Sequence, residues 1–344
     1  MLQSVKNKPV ITALSYDDVL LVPQFSTLTS RSEVGLTTQI TPRVTLKIPI
    51  ISTNMTSVTG VQMAITIGKL GGLGILPRFN LIEEQAQQVA TVKLAKVLVA
   101  AAVGVKPEFL DRSKALVAAG VDILVVDVAH GHMQSVIETI KTLKQKFPKI
   151  EIIAGNVATT MATKDLFLAG ADCVKVDIGP GNVCTTRIVT GFGVPQITAI
   201  QNASIAAKKV HKFLICDGGI KNSGDIVKGL AAGAHAVMIG SLLAGTHESP
   251  GKIIVQNGKK FKRYSGSTSI NEKQNQSQKI DHIEGTSILV PYIGPVENVI
   301  QNFCDGIRSG YSYAGAKDIT QFHKKAKFIQ VTPLALNESA HRFI

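Results

Sequence analysis

The sequence predicts an α/β protein, a (β/α)8 barrel of the TIM type with a polar active-site flap after strand 8. Eight short apolar runs recur along the 344 residues, with helix-like segments between them. Most are roughly 25 residues apart, which is enough for one strand and one crossover helix. The runs lack a clean alternation of apolar and polar residues, as expected for strands buried on both faces of a parallel sheet.

The elements follow in order along the chain. The predicted strands lie at residues 48–52, 72–76, 97–101, 122–126, 150–154, 172–176, 212–216 and 236–240. Apolar side chains at helical spacing mark residues 81–93, 110–119 and 136–147. Gly120 follows the second of these segments and is a helix C-cap signal. A doubly wound open sheet stays an alternative, although Gly72 and Gly74 do not complete the G-x-G-x-x-G pattern of that fold.

Composition bounds the class of protein and its partners. The net charge is +13, but the basic residues are scattered, with short clusters at 259–263 and 324–327. A solvated surface or a phosphorylated small-molecule substrate explains this charge better than nucleic-acid binding does. The four cysteines form no C-x-x-C pair, and no signal-peptide-like or membrane-spanning run occurs. We therefore expect one cytoplasmic catalytic domain over residues 1–344, with its flap at about 265–286.

A glycine-rich loop carrying a cysteine follows the sixth predicted strand. It reads Ile-Gly-Pro-Gly-Asn-Val-Cys-Thr-Thr-Arg over residues 178–187, and its glycines permit the close approach of a ligand or ion. Cys184 on this loop is a candidate nucleophile, because thiolates attack electron-poor carbon atoms. The alternative is a cysteine that packs beneath the loop. Cys173 and Cys216 lie within predicted strands, and we expect them to be inert core residues.

Polar residues follow other predicted strands at the end where barrel enzymes carry their active sites. Asp217 follows the seventh strand and suits two ribose hydroxyls as an acceptor, although a turn or N-cap role is the alternative. Ser241 follows the eighth strand, in a region that commonly binds phosphate through backbone N–H groups. Asp127 ends the fourth strand and Asn156 follows the fifth, so both face the same side.

Eight segments of the chain resemble the IMP dehydrogenase/GMP reductase family, and together they span nearly the whole sequence. They lie at residues 16–23, 50–59, 154–158, 178–187, 217–219, 238–241, 290–295 and 307–315. The Gly-Pro-Gly-Asn-Val-Cys-Thr-Thr-Arg loop is the most specific of them. Because the family reacts at purine C2, the resemblance implies that Cys184 bonds to that carbon and that Thr186 assists. Glu284 matches the segment that contacts the base and is the third predicted catalytic residue.

The resemblance also implies a set of binding residues. Those predicted to bind the substrate are Thr53, Met55, Asn182, Asp217, Gly218, Gly219, Gly240, Ser241, Tyr264 and Gly266. Asp127 and Asn156 are predicted on the cofactor side. The carbonyl oxygens of Gly179, Gly181 and Cys184 are predicted to coordinate a monovalent cation, K⁺. The family is usually tetrameric, so a homotetramer is expected.

Two missing features favour the GMP reductase branch, in which NADPH reduces GMP to IMP and ammonia leaves. Dehydrogenases of the family usually carry a regulatory insertion after the second strand, whereas residues 76–80 run straight into a helix here. They also carry a water-activating Arg-Tyr pair on the flap, and none occurs between Ser265 and Thr286. We therefore predict a GMP reductase that acts through a covalent Cys–purine intermediate. An IMP dehydrogenase using NAD⁺ and a catalytically silent nucleotide-binding barrel stay alternatives.

Several positions depart from the family pattern. Asp177 stands where the family usually has Gly, Asn182 where it usually has Ser, and Thr56 where it often has Asp. Many reductases carry a flap glutamate that assists the threonine, and Glu272 and Glu284 are the candidates here. The C-terminal Glu-Ser-Ala-His is closer to the dehydrogenase tail, which keeps the dehydrogenase alternative open.

Overall fold

The computed structural model describes residues 10–275, 282–335 and 338. Its strands are β1 (Val19–Leu21), β2 (Thr38–Thr41), β3 (Val44–Leu46), β4 (Ile50–Ser52), β5 (Leu73–Leu76), β6 (Val99–Val103), β7 (Ile123–Asp127), β8 (Glu151–Val157), β9 (Cys173–Val176), β10 (Phe213–Asp217), β11 (Ala236–Ile239), β12 (Ile254–Gln256), β13 (Lys259–Ser265), β14 (Ser287–Pro291) and β15 (Phe328–Gln330). Strands β4 to β11 are parallel and form a closed barrel, because β11 pairs with β4 as well as β10. Each coincides with one predicted run, so the (β/α)8 barrel is confirmed.

The helices lie mainly between the barrel strands. They are α1 (Val61–Lys69), α2 (Ile82–Leu94), α3 (Phe109–Ala118), α4 (Gln134–Lys146), α5 (Thr160–Ala169), α6 (Thr186–Thr190), α7 (Gln196–Lys209), α8 (Ser223–Ala231), α9 (Ser241–Ala244), α10 (Ile270–Asn275), α11 (Val296–Tyr313) and α12 (Ile319–Lys325). Local chemistry sets their ends. Thr159 caps α5 by accepting a hydrogen bond from the backbone N–H of Ala162, and Gly170 ends it in the left-handed region at φ 114°.

Two apolar layers hold the barrel together, one inside the strands and one between strands and helices. Along β8, Ile153 points into the inner layer and Ile152 into the outer one, and both are fully buried. The hairpin of β2 and β3 packs its apolar residues, including Ile40, against the inner layer. Because every barrel strand is buried on both faces, the strands read as unbroken apolar runs in the sequence.

The predicted flap belongs to a larger structure than the sequence indicated. Strands β12, β13 and β14 form an antiparallel sheet, and the predicted flap begins at the end of β13 and ends just before β14. Helix α10 lies within it, while residues 276–281 lie outside the described part of the chain. The sequence did not predict β1, β2, β3, β12, β13, β14 or β15, because none of these antiparallel strands forms the continuous buried apolar run that marks the barrel strands.

Only residues 77–81 separate β5 from α2, so no further domain is inserted at that point of the chain. Among the described residues, none of the helices combines the length and the apolar character needed to cross a bilayer.

The loops after the barrel strands form one end of the barrel, where polar residues from distant parts of the sequence meet.

Candidate active site

A pocket opens at the carboxyl ends of the barrel strands and is closed on one side by the flap. The predicted site residues that line it are Thr53, Met55, Asp127, Asn156, Gly179, Gly181, Cys184, Thr186, Asp217, Gly266 and Glu284. The other predicted residues, which do not line this pocket, are Asn182, Gly218, Gly219, Gly240, Ser241 and Tyr264. Several of these lie together beside the pocket, as described below.

Cys184, Thr186 and Glu284 form a chain of hydrogen bonds in the pocket. The Cys184 thiol donates to Thr186 Oγ1 across 3.2 Å, and the Thr186 hydroxyl donates to Glu284 Oε2 across 2.8 Å. Cys184 is partly exposed and lines the pocket, so it does not pack beneath its loop. This arrangement places a nucleophile, a hydroxyl and a carboxylate within reach of one ligand atom.

Backbone pairing brings Glu284 to the cysteine loop. The Thr185 N–H donates to the Glu284 carbonyl oxygen at 3.0 Å, and the Thr286 N–H donates to the Val183 carbonyl at 2.9 Å. These bonds join two segments about a hundred residues apart in the chain, which no sequence pattern reveals. They also decide between the two candidate flap glutamates, because Glu272 instead accepts a hydrogen bond from Thr56.

Lys175 on β9 is a functional-site residue that the sequence analysis missed. Its side chain is 2% exposed, and its ammonium lies 2.9 Å from Asp127 Oδ1 and 2.8 Å from Asp217 Oδ2. It also donates a hydrogen bond to Asn156 Oδ1. Burial by itself disfavours the charged amine, but the two carboxylates outweigh burial and raise the pKa of Lys175. A buried lysine inside a strand run was the available signal, since lysine is almost never buried unless paired.

The carboxylates around Lys175 do not behave alike. Burial raises the pKa of Asp217, although Lys175 partly opposes the rise. For Asp127, Lys175 and Arg78 together outweigh burial, and the pKa lies below its ordinary value. Lys175 thus joins Asp127, predicted on the cofactor side, to Asp217, predicted on the ribose side.

Asp177, which replaces the family's usual glycine, adds a third carboxyl group to this cluster. Its Oδ2 accepts a hydrogen bond from the Asn156 amide at 3.3 Å, while its buried Oδ1 has no partner among the described residues. Burial and the neighbouring Asp217 raise the pKa of Asp177 well above its ordinary value. With one lysine facing three carboxyl groups, a neutral Asp177 relieves the excess of negative charge.

A second group of predicted residues lies beside the pocket. The Asn182 amide donates to Ser241 Oγ at 2.9 Å, which joins the cysteine loop to the start of α9. Gly240 must remain small, since a Cβ there would lie 2.8 Å from the Tyr264 hydroxyl oxygen. Tyr264 is buried, and its hydroxyl lies 3.5 Å from Met55 Sδ. Ser241 and Tyr264 thus lie close together beside the pocket, at the position predicted to bind phosphate.

Arg78 also lines the pocket and was not among the predicted residues. Its guanidinium lies 4.5 Å from the centre of the Phe79 ring, and its buried Nε has no partner among the described residues. It follows β5 in the sequence Leu-Pro-Arg-Phe. A cation at the carboxyl end of a barrel strand was the signal that the sequence analysis overlooked.

A second, mostly apolar cavity of about 440 Å³ adjoins the pocket. Its lining includes Phe192, His130 and His132, and it shares Thr186 and Glu284 with the first pocket. The cavity lies within the size range of small-molecule sites. Thr186 and Glu284 therefore lie between two adjoining spaces, an arrangement that suits a reaction between two bound molecules.

Comparison with known proteins gives a consistent result. The family model described as IMP dehydrogenase / GMP reductase domain matches residues 13–342. An inosine-5'-monophosphate dehydrogenase of Borreliella burgdorferi is 39% identical, with 97% of each chain covered. Proteins of the same name from Nitrosopumilus maritimus and Bacillus subtilis are 33% and 34% identical, covering 95% of this chain and 97% and 94% of their own lengths.

These relatives overturn the predicted branch. The sequence analysis favoured a GMP reductase using NADPH, whereas the curated relatives named above are IMP dehydrogenases. That prediction was wrong because it rested on two absences, the regulatory insertion after the second strand and the Arg-Tyr pair on the flap, and neither one excludes a dehydrogenase. Although an Arg-Tyr pair is absent from the flap, Glu284 places a carboxylate on the Thr186 hydroxyl.

Proposed function

The chain belongs to the IMP dehydrogenase/GMP reductase family, and from that premise we propose that it oxidises IMP to XMP with NAD⁺. The relatives carry the choice of branch, and the Cys184–Thr186–Glu284 chain of hydrogen bonds in a pocket at the carboxyl end of the barrel supports the covalent chemistry. A nucleophile beside a hydroxyl–carboxylate pair supports both covalent attack on the purine and later activation of water.

The proposed chemistry has two stages that share Cys184. Its sulfur bonds to purine C2 as the thiol proton leaves toward Thr186, and C2 then loses its hydrogen as hydride. NAD⁺, when bound, supplies the hydride acceptor. In the second stage Thr186 positions a water molecule and Glu284 accepts its proton, so that the oxygen bonds to C2, the sulfur–carbon bond breaks and XMP leaves.

The proposed nucleotide position follows from the polar groups around Cys184. Asp217 accepts hydrogen bonds from the ribose hydroxyls, and Lys175 holds that carboxylate in place. Ser241 and Asn182 donate to the phosphate, together with the backbone N–H groups of the neighbouring glycines. Gly218 and Gly219 both adopt positive φ, at 81° and 77°, so the backbone turns there in a way that side chains disfavour.

The proposed cofactor position is the side of the pocket bearing Asp127 and Asn156, continuing into the 440 Å³ cavity. Arg78 adds a cation on the same side, which suits the pyrophosphate of a dinucleotide. This placement would hold a cofactor able to accept hydride in the pocket that Cys184 also lines. It also leaves Thr186 and Glu284 at the junction, where they act after the hydride has gone.

The carbonyl oxygens of Gly179, Gly181 and Cys184 are proposed to hold K⁺. The loop's chemistry fits, because hard monovalent cations take carbonyl oxygens, as in the selectivity filters of potassium channels. Gly181 already accepts the Cys184 N–H at 3.0 Å, and its oxygen retains a second lone pair for a cation. An ion there would fix the loop that carries the nucleophile.

A paired assay tests the proposal. IMP with NAD⁺ should yield NADH and XMP over many turnovers, and Cys184→Ser should abolish this while leaving IMP binding largely intact. Intact-mass measurement should find the covalent purine adduct in the native chain only. Consumption of NADPH with GMP, without NADH formation from IMP, would contradict the proposal, and so would the absence of any turnover, as in a silent nucleotide-binding barrel.

Other expectations stay predictions. They are a single catalytic domain over residues 1–344, a homotetramer, a cytoplasmic location and no nucleic-acid partner. Light scattering of the purified protein measures the oligomeric state directly. A monomer with full activity would contradict the predicted tetramer without affecting the proposed reaction.

A further inference from the structure

A separate cavity of about 560 Å³ lies at the end of the barrel opposite the active site. Phe213 is the first residue of β10, and His235 directly precedes β11, so both lie at the amino ends of barrel strands. The cavity is completed by the last turn of α7 and by α12. We call it the basal cavity. Its basic lining residues are Lys208, His211, Lys212, His235, His323 and Lys324.

The basal cavity concentrates positive charge without acidic residues. Six of its lining residues are basic and no aspartate or glutamate is among them. Lys212 is already engaged, because its ammonium donates to the Ala171 carbonyl oxygen. Lys208 and Lys324 are exposed, and within the described ranges neither forms an ion pair with a carboxylate. Their charges are therefore free to meet a ligand.

Two of the three histidines that line the basal cavity, His235 and His323, present a fixed pattern of donors. His235 Nδ1 accepts the Leu214 N–H at 3.2 Å, so the proton of neutral His235 must lie on Nε2. The described part of the chain provides no hydrogen-bond acceptor for that Nε2 proton. His323 is different, since its Nε2 lies 2.9 Å from the Ala234 carbonyl oxygen. The Nε2 proton of His235 is thus left for a ligand.

Burial, more than neighbouring charge, keeps the two inner histidines of this cavity neutral. Burial lowers the pKa of His323, and the nearby Lys208 lowers it further. Burial also lowers the pKa of His235, to about 3, with His323 adding to the effect. An anion seated here would instead face the exposed ammonium groups of Lys208 and Lys324 with no carboxylate in the lining to oppose it, which is the electrostatic condition for anion binding.

We propose that the basal cavity binds a small polyphosphate anion, with Lys208, Lys324 and His211 contacting the phosphate oxygens. The volume suits a ligand of this size, since small-molecule sites span roughly 300–1,000 Å³. Several separate cationic groups around one concave space favour a multivalent anion over a single carboxylate. The site lies at the opposite end of the barrel from Cys184, so it does not depend on the proposed reaction.

Calorimetric titration with inorganic tripolyphosphate tests this proposal on the full chain. The Lys208→Ala/Lys324→Ala double variant should weaken binding at least about tenfold, the equivalent of 1.4 kcal/mol. Lys209→Ala is the matched control, because Lys209 is an exposed neighbour on the same helix that does not line the cavity. Its affinity should stay within about twofold of the native value. Should the double variant fail to fold, Lys208→Gln replaces it.

Two further titrations, with CTP and with citrate, identify the ligand chemistry. CTP should bind in the basal cavity more tightly than tripolyphosphate if the nucleoside contributes to binding, and equally tightly if only the phosphates contribute. CTP is chosen because its base is a pyrimidine, whereas the proposed active site binds a purine nucleotide. Citrate, a trianion without phosphate, should bind at least tenfold more weakly. Equal weakening in Lys209→Ala, no weakening in the double variant, or citrate binding as tightly as tripolyphosphate would each overturn the proposal. No arm requires turnover, so the outcome is separate from the proposed function.

Discussion

The Thr186 hydroxyl donates to Glu284 Oε2 across 2.8 Å, although 98 residues separate the two in the chain. The contact exists because the segment carrying Glu284 pairs by backbone hydrogen bonds with the cysteine loop. Thr186 Oγ1 in turn accepts a hydrogen bond from the Cys184 thiol, with 3.2 Å between the sulfur and the oxygen. One hydroxyl therefore touches both the nucleophile and a carboxylate, so a single group can serve the attack and the hydrolysis.

Replacing Glu284 with Gln should lower kcat by about 10²–10³-fold, because a general base typically contributes 10²–10⁴-fold. The first turnover should still release NADH in a burst, since hydride loss precedes the use of water. Rapid-mixing absorbance measurements separate the burst from the steady state. Glu272→Gln is the matched control on the same flap and should leave hydrolysis largely unchanged. Loss of the burst together with the steady state would contradict a role confined to water activation.

Replacing Lys175 with Met should destabilise the protein by about 3–5 kcal/mol, because it leaves buried Asp127 and Asp217 without their cation. Urea unfolding measures the change. Lys93→Met is the matched control, since Lys93 pairs with Asp122 at 2.9 Å but is about one-third exposed. That variant should lose less than about 1 kcal/mol. Equal losses in the two variants would show that burial of the Lys175 pair does not matter.

Replacing Thr56 with Val should loosen helix α10 of the flap. The Thr56 hydroxyl donates to Glu272 Oε2 at 2.6 Å, and Glu272 is 7% exposed. Hydrogen bonds to charged groups contribute about 1.5–3 kcal/mol, so amide exchange in residues 270–275 should accelerate at least about tenfold. Mass spectrometry of exchanged peptides gives the rate. Thr66→Val removes only a bond within α1 and should not change exchange in the flap.

Stability should fall as the pH falls from about 7 toward 3, in part because of His235. Its folded pKa is about 3 against an ordinary 6.5, so between these values the unfolded chain binds a proton that the folded chain does not. Stability then rises with pH by up to about 1.4 kcal/mol per unit within that window. His235→Asn should reduce the slope of the unfolding free energy between pH 4 and 6. Identical slopes in the native and variant proteins would exclude His235 as a source.

The sequence predicted the barrel well because each buried strand was a separate apolar run. It predicted that Cys184, Asp217 and Asp127 would share one end of the barrel, and all three line the pocket. It missed Lys175, which lies inside a predicted strand. The residues next to Lys175 in the chain do not show that it pairs with Asp127 and Asp217 on two other strands. The sequence analysis indicated the wrong branch because it relied on two absent features, the insertion after the second strand and the flap Arg-Tyr pair, and neither absence separates the branches in this chain.

What the sequence alone determined was the fold and the side of the barrel on which chemistry occurs, because strand burial and strand ends are local properties of the chain. Only the tertiary structure decided which glutamate reaches Thr186, which cation neutralises the buried carboxylates and where unpaired positive charge collects. Those answers depend on distances between residues far apart in sequence. Such distances follow from barrel closure and flap pairing, not from any local pattern.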